Sequence, residues 1–333
     1  MFERSREVAT GLSQWGRLSA RAVREDGLSG VGEATRSFYT GLWRLYGMVH
    51  NYGTPIYDRE WDLLVVLDAC RADLMAEVVE EYDFLTYGTE DSMGSCSPEW
   101  MEKNFTDEYA AEMAETAYVT GNPYSRSTVD ASAFALVDEV WRYRWDDDAG
   151  TIHPDALTDR AIRVHREHRP ERLLVHYMQP HHPFVPNPLG EGTNTELDGT
   201  DFGEKATVWN RLRAGELTRE EVWTAYRENL RYALDSVEVL LENVDAPVAV
   251  VTADHGNALG EQRMYGHPIY APTEALKRVP WCVTTATDTG SHEPELPADA
   301  DRGRAAPTHD GNENGGGDER AAVERKLEDL GYL

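Results

Sequence analysis

A short run of apolar residues that ends on a carboxylate constrains the fold of this chain most. Residues Leu63 to Leu67 read LLVVL, and Asp68 follows directly. Such a continuous run is typical of a strand that is buried on both faces of a parallel sheet. In an open α/β sheet the carboxyl ends of the strands line the ligand-binding crevice, so we expect Asp68 at the floor of a pocket. Taken alone, Asp68 could equally cap the helix that follows it.

Strand-like and helix-like segments alternate along most of the chain. Apolar segments predict strands at 61–67, 117–120, 172–177, 246–252 and 279–284, with a further short apolar segment at 84–87. Apolar residues at helical spacing predict helices at 72–81, 98–105, 131–145, 155–169 and 219–242. This alternation predicts an α/β fold with a mostly parallel central sheet and helices on both faces.

The first 57 residues differ from the rest. Residues 1–50 contain seven arginines against five acidic residues, a net charge of +2 on a chain of net charge −28. Apolar and aromatic residues recur there at helical spacing: Phe38, Tyr39, Leu42, Trp43, Leu45, Tyr46 and Val49. We interpret residues 1–57 as an N-terminal amphipathic helical arm and 58–333 as the main domain. The arm either packs on that domain or rests, through residues 34–50, on anionic lipid or a partner.

A predicted loop and a predicted helix make up the C-terminal end of the main domain. Residues 286–318 are acidic and rich in Gly, Pro and Asn, which predicts a flexible loop with too little apolar surface to fold. Residues 321–333 then read AAVERKLEDLGYL, a short amphipathic helix expected to dock Val323, Leu327 and Leu330 on the domain. The loop is therefore expected to be an insertion before a docked end.

The net charge of the chain argues against nucleic-acid binding and suggests adaptation to high salt. Sixty acidic residues face 32 basic ones, and lysine contributes only four of these. Nucleic-acid binding needs clustered cations, so nucleic acid is not expected as a partner. The balance fits an acidic, salt-adapted protein of the haloarchaeal type, whose surface carboxylates stay hydrated. This hypothesis predicts reversible unfolding below molar salt, and full stability in dilute buffer would contradict it.

Cysteine content and apolar runs bear on the compartment. Cys70, Cys96 and Cys282 are too few for a disulfide framework and indicate a reducing environment. The sequence shows no apolar run of membrane-spanning length and no basic-then-apolar layout of a signal peptide. We therefore expect a cytoplasmic protein, with the arm as its candidate for contact with a membrane surface.

Polar residues that could carry chemistry follow three of the predicted strands. These are Asp68 with Arg71, His181 with His182, and Asp254 with His255. Parallel strands would bring their carboxyl ends to one edge of the sheet. Two carboxylates and an imidazole from Asp68, Asp254 and His255 then form a divalent-metal site with mainly oxygen ligands. A structural role is the stronger interpretation for His182.

These residues stand in motifs that resemble the sulfatase branch of the alkaline phosphatase superfamily. Residues 68–73, DACRAD, are similar to its opening metal motif. Residues 251–256, VTADHG, followed by LGE at 259–261 and GH at 266–267, resemble its second metal motif and trailing basic contact. Residues 176–184, HYMQPHHPF, resemble its His-rich segment, with Gln179 where an Asp is common, and LGY at 330–332 is similar to its C-terminal end. The resemblance spans roughly residues 58–333, and the motifs occur in the family's order.

The resemblance implies an alkaline-phosphatase-like fold and a metal-dependent hydrolase or transferase of phosphate or sulfate esters. It implies one divalent ion, Ca, Mg, Mn or Zn, and a covalent enzyme-ester intermediate. Arg71, His181 and His267 would contact the substrate anion, and His181 or His267 would protonate the leaving alcohol. The substrate would be a small-molecule, glycan or lipid ester.

The nucleophile segment departs from the family pattern Cys-x-Pro-Ser-Arg. Residues 94–100 read GSCSPEW, so Cys96 lies two residues before Pro98 but Trp100 replaces the Arg. Formylglycine-dependent sulfatase activity in the strict sense is therefore not expected. Ser97, directly before Pro98 at a predicted helix start, is the preferred nucleophile, with Cys96 second. The alternative is that Ser97 only caps the helix and Cys96 is a small buried group.

A second hypothesis belongs to a different functional class. The altered GSCSPEW segment also suits a catalytically silent sulfatase-fold protein that acts as a binding or assembly module. Intact Asp68, Arg71, Asp254, His255 and His267 favour the enzyme.

Overall fold

The computed structural model describes residues 28–189, 207–295, 323, 324, 326 and 327. The chain divides into two compact units, Met1–Asn51 with Tyr270–Pro272, and Tyr52–Ile269 with Thr273–Leu333. Among the described residues, no helix combines the length and the apolar character that crossing a membrane requires.

The described part of the first unit is dominated by helix α1, Leu28–Val49, which covers the helix predicted around Phe38–Val49. Gly47 packs against the backbone of Tyr270, where an added Cβ would lie only 2.0 Å from the Tyr270 carbonyl oxygen. Much of the apolar face is exposed: Phe38 is 47% accessible, Leu42 49% and Val49 76%.

The second unit contains all of the strands found among the described residues. They are β1 Leu63–Leu67, β2 Thr89–Asp91, β3 Thr116–Thr120, β4 Leu136–Glu139, β5 Trp145–Asp146, β6 Thr151–Ile152, β7 Arg172–Tyr177, β8 Ala246–Thr252, β9 Ala258–Leu259, β10 Tyr265–Gly266 and β11 Arg278–Ala286. Its α-helices are α2 Ala72–Val78, α3 Ser97–Asn104, α4 Ala110–Ala114, α5 Ser125–Thr128, α6 Pro154–His168, α7 Val208–Ala214, α8 Arg219–Leu241 and α9 Glu274–Lys277. Short 3-10 helices occupy Ile56–Asp58, Val79–Glu81, Asp107–Tyr109, Ala131–Ala133, Val140–Arg142 and Glu261–Arg263.

A seven-stranded sheet organises this unit, in the order β2-β11-β8-β1-β7-β3-β4. Strands β8, β1, β7, β3 and β4 are parallel to one another, whereas β11 runs antiparallel to both of its neighbours. Residue Val66 of β1 pairs with His176 of β7 and Thr252 of β8. The carboxyl ends of the central strands therefore lie at the same edge of the sheet.

Both faces of the sheet are covered, as the buried runs predicted. Leu63, Val65 and Leu67 join a cluster with residues of α2, α6 and α8 on one face. Leu64 and Val66 join an aromatic-rich cluster with residues of α3 on the other. Alternate side chains of a strand point to opposite faces, so one short apolar run contributes to two cores. The predicted α/β architecture with a mostly parallel sheet is confirmed.

One predicted helix is wrong. Residues 131–145 do not form a helix but a 3-10 turn, strand β4, a second 3-10 turn and the start of β5. Strand β4 pairs in parallel with β3, and its Val137, Asp138 and Glu139 are buried. Asp138 also accepts a hydrogen bond from Arg160 of α6 at 2.6 Å. Pairing with a neighbouring strand thus overrides the helical spacing of the apolar residues.

Smaller differences occur elsewhere. The apolar segment at 84–87 contributes only an isolated bridge between Thr86 and Val283. Helix α7 was not predicted. Residues after β11 are held to the domain as far as residue 295, by pairs between Arg166 and Asp288 and between Asp159 and His292. The rest of the predicted loop at 296–318, and Leu330, lie outside the described residues, whereas Val323 and Leu327 are buried.

The buried pair between Asp138 and Arg160 gives a stability prediction. Both side chains are almost fully buried, so Asp138→Ala would remove the carboxylate that pairs with a guanidinium inside the protein. We expect a loss of about 3–5 kcal/mol in the free energy of unfolding. The half-exposed pair between Arg163 and Glu167 is the control, since Glu167→Ala should cost less than about 1 kcal/mol. Urea unfolding measures both, and equal losses would contradict the prediction.

Candidate functional site

Asp68 and Asp254 meet at the carboxyl edge of the sheet because β1 and β8 are adjacent and parallel. Asp68 directly follows β1, and Asp254 lies two residues beyond β8. The backbone N–H of Ala69 donates to Asp254 Oδ1 at 3.0 Å and so joins the two strand ends directly. Ala69 has a φ of +61°, in the left-handed region that is costly for a residue with a Cβ. The carbonyl of Ala69 accepts a hydrogen bond from the Tyr226 hydroxyl, so both backbone polar groups of this strained residue are held.

The turn after β8 is fixed by close backbone contacts. Ser92 Oγ donates to the Asp254 carbonyl, and the N–H of Gly256 donates to the Leu276 carbonyl at 2.8 Å. A Cβ at Gly256 would lie 2.3 Å from the Ala275 carbonyl oxygen, so only glycine fits there. Ser92 and Leu276 therefore hold the Asp254-His255-Gly256 segment through hydrogen bonds to its backbone.

Asp68, Asp254 and His255 form a compact cluster. One ligand atom from each lies within 4.8 Å of the others, and all three side chains are fully buried. His255 Nε2 is 3.6 Å from Asp68 Oδ1 and 3.5 Å from Asp254 Oδ2. The Nδ1–H of His255 donates to the Gly256 carbonyl at 2.9 Å, because a carbonyl can only accept. In the neutral ring the Nε2 lone pair therefore faces the two carboxylates.

The electrostatics of this cluster suit a cation. Burial raises the pKa of Asp254, but the neighbouring His255 and His176 rings and the hydrogen bond from Ala69 outweigh burial and hold that pKa below its ordinary value. Within the described part of the chain, Asp254 Oδ2 accepts no hydrogen bond of standard geometry. Two buried carboxylates are costly unless a positive charge compensates them. Their oxygens and the imidazole nitrogen match the donors that divalent ions take in proteins, so the residues present fit the predicted metal.

The serine hydroxyl lies against this cluster. Ser97 is the first residue of α3, and its Oγ is 3.4 Å from Asp68 Oδ2 and 3.3 Å from His255 Nε2. Cys96 is the N-cap residue, and its side chain makes no capping hydrogen bond. Burial raises the pKa of the Cys96 thiol, which opposes formation of a thiolate.

Glu99 stabilises the turn that presents Ser97. Its buried carboxylate accepts from the backbone N–H of Ser95 at 2.9 Å and from the Ser95 hydroxyl at 2.6 Å, and it pairs with Lys103. Lys277 donates to the Met93 carbonyl at 2.9 Å from the other side of the turn. These contacts hold residues 93–95, directly before the N-cap residue Cys96. The carboxylate of Glu99, the third residue of α3, thereby fixes the chain just before the helix start.

Trp100 belongs to the core. It is fully buried, and its ring packs edge-on against His176 with the centroids 5.5 Å apart. The residue that replaces the Arg of the sulfatase pattern therefore packs against the outer side of the cluster.

His181 and His267 form a pair beside the cluster. Their Nε2 atoms are 3.0 Å apart, and the ring of His267 lies 4.8 Å from that of His255, centroid to centroid. Burial lowers the pKa of both His181 and His267, and neighbouring imidazoles lower it further. His182 contacts Trp209 instead, accepting from the indole N–H through Nδ1 at 3.2 Å. The structure thus brings His181 and His267 together beside His255, and the ring of His182 stacks on that of His181 with the centroids 4.4 Å apart.

Arg71 is heavily engaged by other groups. Its guanidinium donates to both carboxylate oxygens of Asp73, at 2.8 and 2.6 Å, and to Glu261 at 3.0 Å. It also donates to the Asn257 carbonyl at 2.7 Å and lies over the Trp223 ring. To bind a substrate anion, Arg71 would have to exchange one of these carboxylates. Its role in anion binding stays a prediction.

Two polar residues of the site were not assigned from sequence. Asn122 Nδ2 donates to Asp68 Oδ2 at 2.8 Å, and His176 Nε2 lies 3.5 Å from Asp254 Oδ2. A signal existed for Asn122, because it follows the end of parallel strand β3 just as Asp68 follows β1. His176 faces inward on β7, and its contact depends on strand register, which the sequence pattern alone does not specify.

The fold and the cluster together define a class. An alkaline-phosphatase-like sheet that presents a metal-binding cluster at its carboxyl edge belongs to enzymes that transfer or hydrolyse phosphate and sulfate esters with a divalent ion. A comparison with family models narrows this class. The sulfatase family model matches residues 87–293, more than half of the chain, and the protein belongs to the sulfatase family.

Several solved structures resemble this chain at low sequence identity. The soluble domain of lipooligosaccharide phosphoethanolamine transferase A from Neisseria meningitidis is 16% identical, with a TM-score of 0.47 over 69% of this chain and 77% of that one. The C-terminal periplasmic domain of EcEptC from Escherichia coli, in complex with Zn, is 12% identical, with a TM-score of 0.46 over 74% and 79%. A putative sulfatase from Bacteroides thetaiotaomicron is 11% identical, with a TM-score of 0.40 over 67% and 64%. No curated protein sequence matches this chain.

Proposed function

We propose that the protein transfers the phosphoryl or sulfuryl group of an ester first to Ser97 and then to water or a second alcohol. The observation that carries this proposal is the position of Ser97 Oγ, 3.4 Å from Asp68 Oδ2 and 3.3 Å from His255 Nε2. A hydroxyl at a helix N-terminus beside two candidate metal ligands suits a nucleophile that attacks an anionic ester.

Asp68, Asp254 and His255 would hold the divalent ion. When bound, such an ion supplies positive charge that polarises an ester oxygen and lowers the pKa of an adjacent hydroxyl. The residues themselves contribute fixed geometry. Asp254 Oδ1 is occupied by the backbone N–H groups of Ala69 and His255, at 3.0 and 2.8 Å, which leaves Oδ2 to face the cluster. His255 presents Nε2 because its Nδ1–H is used by the Gly256 carbonyl.

The transfer to Ser97 forms one bond and breaks one bond. Ser97 Oγ passes its proton to the Asp68 carboxylate, 3.4 Å away, and bonds to the phosphorus or sulfur atom, while the bond to the leaving alcohol breaks. His181 or His267 gives a proton to the leaving oxygen. Burial lowers the pKa of both rings, so the negative charge of the bound ester has to raise the pKa of the ring that acts as the acid. Water or an acceptor alcohol then attacks the phosphorus or sulfur atom and gives its proton to the histidine that protonated the leaving group. The bond to Ser97 Oγ breaks, and the serine takes back its proton from Asp68. The backbone N–H groups at the start of α3 favour the anionic group during both steps.

The nucleophile gives a direct test. We expect turnover in a screen of aryl phosphate, phosphodiester and aryl sulfate substrates with Mn, Zn, Mg and Ca. Ser97→Ala should lower kcat by at least about 10³-fold, because it removes the atom that forms the covalent bond. Cys96→Ala should keep most of the activity, since the thiol is buried and the hydroxyl faces the cluster. Circular dichroism checks that both variants fold.

Several results would overturn this account. Activity that survives Ser97→Ala but not Cys96→Ala would assign the nucleophile to Cys96. Activity that survives both changes would remove the covalent intermediate. If no substrate and metal combination gives turnover, and metal is retained after Asp254→Ala, the silent binding module would be favoured instead.

We also propose that α1 rests on an anionic lipid surface. Phe38, Leu42, Leu45, Tyr46 and Val49 are exposed on this helix, and residues 1–50 carry a net charge of +2 on an otherwise strongly acidic chain. Exposed aromatic and aliphatic side chains together with arginine suit the interface of an anionic bilayer. The three cysteines are free and buried, which supports the proposed cytoplasmic location.

Co-sedimentation with vesicles tests this proposal. The full chain should pellet with vesicles that contain phosphatidylserine and remain in solution with vesicles of phosphatidylcholine alone. Leu42→Glu combined with Val49→Glu should abolish pelleting, because it places charge on the apolar face. Val283→Glu, at an exposed apolar residue of β11, is the control and should pellet like the wild type. Equal pelleting of the double variant and the wild type would contradict the proposal.

A further inference from the structure

His176 lies between a tyrosine and one of the candidate metal ligands. It is on β7 and is fully buried. Its Nδ1 is 3.0 Å from the hydroxyl of Tyr118 on the neighbouring strand β3, and its Nε2 is 3.5 Å from Asp254 Oδ2. Tyr118 and Asp254 are also fully buried. The three side chains therefore form a line from the interior of the sheet to the cluster at its edge.

The ring has little freedom to turn away from this line. Trp100 of α3 packs edge-on against it, with centroids 5.5 Å apart, and the Tyr118 ring stacks beside it at 6.4 Å. The backbone of His176 is also fixed, because it pairs with Val66 on one side and Thr120 on the other. Both ring nitrogens therefore keep their directions.

The protons in this line can be assigned. Burial raises the pKa of Tyr118, so its hydroxyl is protonated and can donate to His176 Nδ1. In that tautomer, Nε2–H points to Asp254 Oδ2. The other tautomer would set a bare nitrogen against a carboxylate oxygen in the interior, which is unfavourable because both atoms are acceptors. The assignment with Nε2–H toward Asp254 places a donor opposite an acceptor across the 3.5 Å between the two atoms.

Asp254 Oδ2 lies 3.5 Å from His176 Nε2 and 3.5 Å from His255 Nε2. Within the described residues, neither His176 Nε2 nor Asp254 Oδ2 makes a hydrogen bond of standard geometry. The other carboxylate oxygen of Asp254 already accepts two backbone N–H groups. His176 Nε2 therefore lies near Oδ2, the oxygen of Asp254 that also faces His255 and the candidate metal position.

We propose that His176, held by Tyr118, is a positioning residue that orients the Asp254 carboxylate for a divalent ion and so sets the affinity of the metal site. This inference rests on the proposed function in so far as Asp254 is a metal ligand. Groups that orient metal ligands in this way commonly change metal affinity by 10- to 100-fold when they are removed.

Calorimetric titration of the metal-free full chain with Mn²⁺ and Zn²⁺ tests the inference without using activity. His176→Leu should raise the Kd of the metal by about 10- to 100-fold. His176→Gln should recover most of the affinity, because the glutamine amide can donate from near the position of Nε2. Tyr118→Phe should also weaken binding, since it removes the hydroxyl that selects the tautomer.

The chain offers a matched control in Tyr177→Phe. Tyr177 is a fully buried tyrosine on the same strand as His176, and its hydroxyl bonds to Thr158 on the opposite face of the sheet. Tyr177→Phe removes a buried tyrosine hydrogen bond, as Tyr118→Phe does, but the partner of Tyr177 is Thr158 and not a group that contacts Asp254. We expect Tyr177→Phe to leave the Kd unchanged, and urea unfolding of the metal-free variants separates loss of affinity from loss of stability.

Each outcome decides a separate question. If the wild type binds the metal and His176→Leu binds it with the same Kd, the inference is overturned but the proposed function stands. Equal weakening by Tyr118→Phe and Tyr177→Phe would also overturn it, because general packing would then explain both. No metal binding by the wild type would overturn the inference together with the proposed function. If His176→Leu does not fold, Tyr118→Phe and its control decide the result.

Discussion

The site depends on holding two carboxylates together inside the protein. Asp68 and Asp254 are both inaccessible to solvent, and two like charges in such a place repel each other unless something offsets them. The parallel pairing of β1 and β8 brings their backbones together, and the strained peptide of Ala69 links one strand end to the carboxylate of the other. His255 completes the donor set. The serine, the histidine pair and the outer contacts of Asn122 and His176 are all arranged around this cluster.

The nucleophile segment shows how a changed motif can keep a workable geometry. Relative to the sulfatase pattern, Trp100 has become part of the core, and Glu99 holds the turn before α3 through Ser95. The helix start still faces the carboxylates, but the side chain that lies there is Ser97. A buried Cys96 thiol and an adjacent serine hydroxyl together favour a hydroxyl-based transfer over formylglycine chemistry in this member of the family.

Much of this arrangement could be predicted from sequence, for a physical reason. Continuous apolar runs identify buried parallel strands, and the polar residue after each run must lie at the same edge, so Asp68, Asp254 and His255 could be grouped without coordinates. Strand β4 could not be predicted, because its helix-like spacing is overridden by pairing with β3. The contacts of His176 and Asn122 depend on register and on rotamers, and a one-residue shift in register would turn either side chain away.

A crystal structure of the protein with Mn²⁺ and vanadate would test the central claim most directly, since it shows ligands and nucleophile together. The account predicts one ion bound by Asp68, Asp254 and His255, and vanadium bonded to Ser97 Oγ, with His181 or His267 against a vanadate oxygen. An ion bound elsewhere in the protein, or vanadium bonded to Cys96 Sγ, would contradict it.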